Sequence, residues 1–453
     1  MSSISAKLYA FSMYAICTIV IFEELSGASD ASVKPFEAFA MVLFLAGALV
    51  VNRGSMFWLT VAGLIAGHVL LLAYHLPFSA WIGSISASAG IVVLFVAIPF
   101  LTLPMSDSRY LDSLKNFIRN RSLSGGSKFV LLVFLHLCMT FVLNIASIPA
   151  LQKILDRADL PKRYLVRLYT AGYASYMVSS PFDGVVNMTL LLASVSYGTY
   201  IVRAVPMVIA IVVVSVLLLP SLFRSRPQTA EEPSPARNGS SRGLLAFIAH
   251  VMVMIALVAA GNLFLHFRTP TLMTAILIAL YALGWTGALG KIRLWTAELR
   301  SHNRRLLEYV NFLPFLVAMN FFGAVLAQTP AKAVIGSSIH ELAGLFPQYF
   351  ALQIILGATV LLSLLGVHMM ITITALAFSV AHASLGLTPS AYALFLLTCW
   401  YVAMSISPFV PFSAVVADAV GAKPFEVTFK YNLLFAAAMT AAGPAVVLLA
   451  NRI

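Results

Sequence analysis

About a dozen apolar stretches, each of roughly 20 residues, run through this chain and constrain its fold more than any other feature. The hydrocarbon core of a bilayer is about 30 Å thick, so each stretch is long enough for one spanning helix. Of the 453 residues, 61% are hydrophobic and only 10% are charged, so a soluble fold would expose too much apolar surface. The sequence therefore predicts an all-α polytopic membrane protein with about 11 transmembrane helices.

The net charge is +12, and the Lys and Arg residues are concentrated in short loops between the apolar stretches. This pattern follows the positive-inside rule for cytoplasmic loops. It argues against nucleic-acid binding, because no basic patch is interleaved with exposed aromatics. We expect a multi-pass protein of the cell membrane, the inner membrane in a bacterium, surrounded by lipid. Its N-terminus is expected in the cytoplasm and its C-terminus outside.

Charge, proline and repeated patterns divide the chain into six segments. These are an extra N-terminal helix (1–35), the scaffold of a first repeat (36–127), its transport part (128–223), a cytoplasmic linker (224–243), the scaffold of a second repeat (244–348) and its transport part (349–453). The linker is rich in Pro, Ser and Arg, a composition typical of solvated connections. Residues 107–128 alternate basic and apolar side chains and predict an amphipathic helix on the cytoplasmic surface.

One apolar stretch, residues 129–155, is interrupted between Asn144 and Pro149 and has basic residues on both flanks. Two basic flanks predict that the chain enters and leaves the membrane on the cytoplasmic side, as a re-entrant hairpin. A straight span is the alternative.

A second stretch, residues 349–380, is interrupted around Gly366 and His368, and its exit loop, residues 382–389, contains no Lys or Arg. We therefore predict a second re-entrant hairpin that opens on the other side of the membrane.

Two further stretches carry a Ser-Pro-Phe motif, which should interrupt a helix because proline lacks a backbone donor. Met177-Val-Ser-Ser180-Pro181-Phe182 matches Met404-Ser-Ile-Ser407-Pro408-Phe409 at a separation of 227 residues (407 minus 180). Each motif follows a hairpin and precedes a final span, so the two halves are predicted to be repeats. Because the hairpins open on opposite sides, the repeats are inverted and contain two discontinuous helices.

Inverted repeats with broken helices are typical of secondary transporters, whose binding site lies near the midplane. The order of elements resembles the ion transporter superfamily, and within it the divalent anion/sodium symporters. One extra helix is followed by two units, each with three helices, a hairpin, a broken helix and a final helix. The hairpin tips differ from the Ser-Asn-Thr of that family. The resemblance implies an elevator-type carrier, a homodimer, in which hairpins and broken helices move against the scaffold.

These features favour secondary active transport of a small anionic solute, such as a carboxylate or oxyanion, coupled to Na⁺ or H⁺. A Na⁺/H⁺ antiporter or an exporter is the alternative within transport. An intramembrane enzyme is the alternative from another class, but the sequence shows no nucleophile paired with a base and no His-Glu-x-x-His zinc motif. We expect neither enzymatic activity nor a cofactor other than the coupling ion.

Asp183 is the leading candidate for binding Na⁺ or a proton, because a carboxylate inside a span is costly unless it pairs or functions. It follows Pro181, where backbone carbonyls lose their helical donors. A structural cap on the second half-helix is the alternative. His368 is the candidate of the second hairpin, either donating to an anionic solute or carrying a proton, with hydrogen-bonded packing as the alternative.

The other candidates are hydroxyl and amide groups near the expected breaks, together with the two prolines: Asn144, Ser147, Ser179, Ser180, Pro181, Asn187, Thr372, Thr374, Ser407, Pro408 and Ser413. Such groups suit sodium and oxyanions equally. Sodium is expected near Asn144, Ser180, Asp183 and Ser407. No Arg or Lys lies near the middle of any predicted transport segment, so a solute anion would rely on helix N-termini and neutral groups.

Overall fold

The structure is a computed structural model that describes residues 4–27, 30–52, 54, 56–103, 125–155, 160–219, 241–265 and 267–453. Over these residues it contains helices and connecting turns but no β-strand. Most of the expected surface helix at 107–128 and most of the linker at 224–243 lie outside the described residues.

Twenty α-helices occur in the described ranges, ten in each half. Those of the first half are α1 Ile4–Ser26, α2 Asp30–Val51, α3 Phe57–Ala73, α4 Phe78–Ser86, α5 Ala89–Ala97, α6 Gly125–Leu143, α7 Ser147–Leu155, α8 Lys162–Ser179, α9 Gly184–Leu192 and α10 Tyr197–Leu217. Those of the second half are α11 Ser241–Phe264, α12 Pro270–Ala288, α13 Arg293–Leu306, α14 Leu313–Leu326, α15 Pro330–Leu345, α16 Gln348–Leu364, α17 Met369–Ser379, α18 Pro389–Ile406, α19 Pro411–Val420 and α20 Leu433–Ala450. A π-helix, Glu426–Asn432, leads into α20.

Nine helical segments of the described chain are long and apolar enough to cross a bilayer, or ten if 293–309 and 313–326, bent by 54°, form one span. One of the nine, 126–155, meets this test by length and composition although its chain turns back on itself. The prediction of an all-α polytopic membrane protein is therefore confirmed. The count falls below about 11 partly because α3 has 17 residues and is short for a span. α8 is long enough, but its many tyrosines and its Lys and Arg residues lower its hydropathy.

Contacts between helices form two groups. In one, α1 packs with α2 and α5, α3 packs on α14, and α12 packs on α5 and α11. In the other, α8 packs with α6, α10 and α18, and α20 packs with α10 and α18. The groups meet where α9 contacts α5, where α17 contacts α14 and where α11 contacts α10 and α6. The division into scaffold and transport parts, and their relative motion, stay predictions.

The first interrupted stretch turns back on itself. Ser147 Oγ lies 3.1 Å from His136 Nε2 and 2.9 Å from Thr140 Oγ1, whereas a straight helix would separate residues 136 and 147 by about 16 Å. The turn is at Asn144, whose φ of +49° lies in the left-handed region that Asn tolerates better than most residues. The straight-span alternative is therefore wrong, and we call residues 125–155 hairpin 1.

The second interrupted stretch also turns back, and its two ends lie together. Gln348 Nε2, at the start of α16, donates to the carbonyls of Leu385 and Gly386 at 2.7 and 3.0 Å, just beyond α17. The turn includes Gly366 at a φ of +90°, a conformation that a residue with a side chain rarely adopts. We call residues 348–379 hairpin 2.

Both Ser-Pro-Phe motifs interrupt a helix, as predicted. α8 ends before the first motif's proline and α9 begins at Gly184, and we call this pair broken helix 1 (162–192). α18 and α19 are separated in the same way by residues 407–410, and we call them broken helix 2 (389–420).

The two broken helices run in opposite directions. Lys162 Nζ, at the start of broken helix 1, donates to the carbonyl of Gly421, just after the end of broken helix 2. At the opposite end of the molecule, Asn451 Oδ1, after α20, accepts from the backbone N–H of Thr388, just before broken helix 2 begins. The start of one therefore lies beside the end of the other, which is the arrangement expected of inverted repeats.

This arrangement makes a prediction about membrane sidedness. In a variant without the native cysteines, Lys162→Cys should react with an impermeant maleimide only from the cytoplasm, and Ser384→Cys only from outside. Intact cells and inside-out vesicles distinguish the two. Labelling of both positions from the same side would contradict the inverted topology.

Candidate functional site

The two helix breaks lie side by side in the core of the transport part. α8 contacts both α18 and α19, and α9 contacts α18, so the half-helices converge where they are interrupted. Residues 164–190 and 390–408 are buried throughout. The backbone groups released at the breaks therefore need partners within the protein.

Two tyrosines of α10 supply donors to the first break. The hydroxyl of Tyr197 donates to the carbonyl of Ser179 at 2.6 Å, and the hydroxyl of Tyr200 donates to the carbonyl of Val178 at 2.7 Å. These carbonyls belong to the last turn of α8, where no helical donor follows. The pair of tyrosines therefore stabilises the interruption.

Tyr197→Phe should destabilise the protein, because it leaves the buried Ser179 carbonyl without this donor at a cost of about 1–3 kcal/mol. The matched control is Tyr349→Phe, whose hydroxyl donates to the Ala441 carbonyl at 2.8 Å in an exposed position. The Ala441 carbonyl lies in the middle of α20 and also has the helical donor four residues on, so loss of the tyrosine hydroxyl should cost less. Thermal unfolding in detergent measures both, and equal effects would show that the break does not depend on Tyr197.

Asn187 makes a second set of bonds across the same break. Its Nδ2 donates to the carbonyls of Pro181 at 2.7 Å and Asp183 at 2.8 Å. The amide hydrogens of this candidate are thus engaged with the backbone. Asn187 thereby provides donors for two carbonyls at the break, so the proline and the turn can be buried in the membrane-spanning part.

Asp183 is the N-cap of α9. Its Oδ1 accepts from the backbone N–H groups of Val185 and Val186 at 2.9 and 3.1 Å. The side chain is 5% exposed, and the helix N-terminus favours its negative charge. Oδ1 therefore caps α9, as the structural alternative proposed. Ion binding by the Asp183 carboxyl group stays a prediction.

The tip of hairpin 1 reaches this carboxyl group through two tyrosines. Asn144 Oδ1 accepts from the Tyr173 hydroxyl at 3.0 Å, and Asn144 Nδ2 donates to the Tyr176 hydroxyl at 3.3 Å. Tyr176 in turn interacts with the carboxyl group of Asp183. We call Asn144, Tyr173, Tyr176 and Asp183 the Asp183 cluster. Sequence reasoning found its two ends but missed both tyrosines, although they lie three residues apart on one helix beside the only Asp of broken helix 1.

Three other candidates of the first repeat have local structural partners. Ser180 Oγ accepts from the backbone N–H of Phe182 at 3.1 Å. Ser179 Oγ donates to the carbonyl of Ser175 at 2.6 Å. Ser147 lies inside hairpin 1 against His136, away from the Asp183 cluster. The structure thus links Asn144 to Asp183 through the two tyrosines, whereas the hydroxyl groups of Ser147 and Ser179 bond to other partners.

The second break meets hairpin 2 in a similar way. Ser407 Oγ donates to the carbonyl of Ser363, near the end of α16, at 3.4 Å, and Ser413 Oγ donates to the carbonyl of Ser407 at 2.5 Å. Pro408 is buried between them. Each hairpin tip therefore contacts one break.

His368 caps α17 at the tip of hairpin 2. Its Nδ1 accepts from the backbone N–H of Met370 at 3.2 Å, which assigns the hydrogen of the neutral ring to Nε2. The ring packs edge to face on Phe315 and Trp400, with centroids 4.6 and 6.0 Å apart. His368 therefore presents one N–H donor in an aromatic environment.

Several buried polar atoms near hairpin 2 have no hydrogen-bond partner: Ser363 Oγ, Thr374 Oγ1 and Trp400 Nε1. Thr372 is half-buried on the same short helix as Thr374. Unsatisfied buried donors cost free energy, and functional sites are one place where they persist. Ser363 and Trp400 carry no sequence signal that distinguishes them from packing residues, so sequence reasoning missed them.

The two breaks differ in charge and exposure. Val410 occupies the position that corresponds to Asp183 (183 plus 227), so the carboxylate belongs to the first repeat alone. Phe182 is 4% exposed, whereas its counterpart Phe409 is 61% exposed. The repeats therefore share a backbone plan but offer different chemistry.

No group of three His, Cys, Asp or Glu side chains suited to a metal ion occurs among the described residues. A cation at the Asp183 cluster would thus be held by one carboxylate and neutral oxygens. A cavity of about 260 Å³, lined in part by Gln348, Leu352 and Gly386, lies at the mouth of hairpin 2 and does not include either break.

The architecture is similar to that of a solved transporter. The crystal structure of the YdaH transporter from Alcanivorax borkumensis superposes with a TM-score of 0.60 at 13% sequence identity, covering 87% of this chain and 98% of that chain. At this identity the likeness shows a shared fold. No protein-family model and no curated protein sequence matches the chain.

Proposed function

We propose that this protein is a secondary active transporter that moves a small anionic solute, a carboxylate or an oxyanion, by an elevator-type motion coupled to Na⁺ or H⁺. The observation that carries the proposal is the contact of each hairpin tip with one of two antiparallel broken helices, with a buried carboxylate at one contact. Broken helices beside re-entrant segments supply free backbone groups for binding in the middle of a membrane. The fold shared with a transporter supports the same conclusion.

The Asp183 cluster is the proposed site of the coupling cation. A carboxylate, two tyrosine hydroxyls and an amide oxygen provide the hard oxygen ligands that Na⁺ accepts, and the carboxylate alone suffices for a proton. Ser180 and Ser407, at the two neighbouring breaks, complete the proposed sodium environment.

The second break is the proposed site of the solute. The hydrogen on His368 Nε2, the unpartnered Trp400 Nε1–H and the unpartnered hydroxyl of Ser363 are donors that suit an oxyanion. Hairpin 2 would then act as the gate over the solute, with Thr372, Thr374 and Ser413 nearby. The carrier is proposed to form a homodimer in the inner membrane through its scaffold.

A Na⁺/H⁺ antiporter is the second candidate. It is favoured by one observation: Asp183 is the one buried carboxylate in the described residues of the transport part, as expected if a single group alternates between ion and proton. An intramembrane enzyme finds less support, because neither break brings a nucleophile beside a base.

The test is a reconstitution. A thermal-shift screen of carboxylates, oxyanions and cations identifies ligands, and those that stabilise the protein are offered to proteoliposomes under a Na⁺ or H⁺ gradient. Uphill uptake supports the proposal. Ion exchange without any solute favours the antiporter, and absence of both fluxes in correctly oriented, folded protein would overturn transport.

A further inference from the structure

Three cations surround one residue, Tyr431, at the Lys162 end of the transport part. The guanidinium carbon of Arg163 lies 6.0 Å from the Tyr431 ring centroid, and Lys430 Nζ lies 5.4 Å from it. Arg167 Nη2 donates to the Tyr431 carbonyl at 3.0 Å. Among the described residues, one carboxylate pairs with this cluster, Glu426, at 3.3 Å from Lys430. The cluster therefore carries a net positive charge.

Arg167 carries its positive charge in a buried position, which is energetically costly. The side chain is 2% exposed, and its Nε and Nη1 are buried without a hydrogen-bond partner. It packs over the ring of Phe435 at 4.9 Å, which offsets only part of the cost of a desolvated guanidinium. The corresponding residue of the second repeat is Leu394 (167 plus 227), so the repeated fold itself does not require a cation here. An anion near the cluster would compensate this charge.

An exposed apolar surface lies beside the cluster. The rings of Phe409 and Phe425 are 6.1 Å apart, and those of Phe425 and Phe429 are 6.0 Å apart. These three phenylalanines are 61%, 57% and 43% exposed, and Leu433 and Leu434 continue the surface along α20. The surface therefore suits a ligand with both an anionic and an apolar part.

We propose that the Tyr431 cluster binds an anionic phospholipid, whose phosphate contacts the exposed side chains of Arg163 and Lys430 and whose acyl chain covers Phe425 and Phe429. Arg167 contributes positive potential from beneath without direct contact. The linker at 224–243 does not suit the role of this anion, because it has four Arg against two Glu. The site depends on the protein being in a membrane and not on the proposed transport.

The test measures lipid retention by the purified full chain with native mass spectrometry, using phosphatidylglycerol and phosphatidylcholine of identical acyl chains. Arg163→Gln combined with Lys430→Gln should weaken phosphatidylglycerol binding about 30-fold, the loss expected from two basic contacts near an anionic surface. The matched control combines Arg300→Gln with Lys332→Gln, two exposed cations of other helices, and should retain binding.

Equal phosphatidylglycerol binding by the two double variants would overturn the proposal. So would equal retention of phosphatidylcholine by the unmodified protein. Inorganic phosphate is the third probe: if it displaces the lipid at millimolar concentration, the cluster is a site for a free anion. Phe429→Ala adds a second check, since it should weaken lipid binding while leaving any phosphate binding unchanged.

Discussion

Replacing Asp183 by Asn is expected to reduce cation-coupled transport by at least about 100-fold while the protein remains folded. Asn is as good an N-cap as Asp, so its Oδ1 can keep both backbone bonds from Val185 and Val186. What the substitution removes is the negative charge, together with the group that accepts a proton or completes a cation site. Stability and coupling should therefore separate in this variant.

Two measurements make the separation visible. Uptake into proteoliposomes under a Na⁺ or H⁺ gradient reports coupling, and thermal unfolding in Na⁺ against choline reports cation binding. A ligand at 100 times its dissociation constant stabilises a protein by about 2.7 kcal/mol, so a sodium effect in the unmodified protein should vanish in Asp183→Asn.

The control for capping is Asp183→Ala, which removes both the charge and the cap. It should lose coupling as Asn does but also lose about 0.5–2 kcal/mol of stability. Coupled uptake that persists in Asp183→Asn would reduce the role of this carboxylate to capping α9, and the cation site would have to be sought elsewhere.

Much of the fold could be predicted because a few residue types determine it locally. Hydropathy gives the spanning helices, and Pro181 and Pro408 give the two interruptions, because a buried helix cannot continue where a donor is missing. Asn144 and Gly366 adopt the left-handed backbone needed at the hairpin tips. These signals act within a few residues, so they can be read from the sequence without knowledge of the packing.

The composition of the site was less predictable because its contacts join distant segments. Tyr197 and Tyr200 donate to carbonyls 18 and 22 residues away, and no local pattern specifies those pairings. Arg167 was missed for a related reason. It lies near the start of α8, where a basic residue suggests a membrane surface, yet the π-helix of the other repeat buries it.

The packing of hairpin 1 against α8 depends on the glycine at position 172. A methyl group there would lie 2.2 Å from Nδ1 of His136, 2.8 Å from its Cγ and 3.0 Å from its Cβ. A contact with Cβ cannot be relieved by turning the imidazole alone, so α6 would have to move away from α8. The ring is also held by its contact with Ser147 across the hairpin.

Gly172→Ala is therefore expected to displace hairpin 1, destabilise the protein by about 1–3 kcal/mol, and abolish coupled uptake by moving Asn144 away from Tyr173 and Tyr176. The matched control is Gly357→Ala in hairpin 2, where an added carbon meets no atom within 4 Å. That change should be neutral or stabilising, because Ala favours a helix over Gly by about 1 kcal/mol.

Thermal unfolding and gradient-driven uptake are measured for both variants and for the double variant Gly172→Ala with His136→Ala. Replacing His136 by Ala removes the contacts at 2.2 and 2.8 Å and leaves the contact with Cβ at 3.0 Å. The double variant should therefore recover part of the stability lost in Gly172→Ala, a coupling expected only of residues in contact. If Gly172→Ala and Gly357→Ala behave alike, hairpin 1 does not pack against α8 at this position. Recovery of uptake as well as stability would show that transport needs the hairpin seated on α8 rather than the imidazole itself.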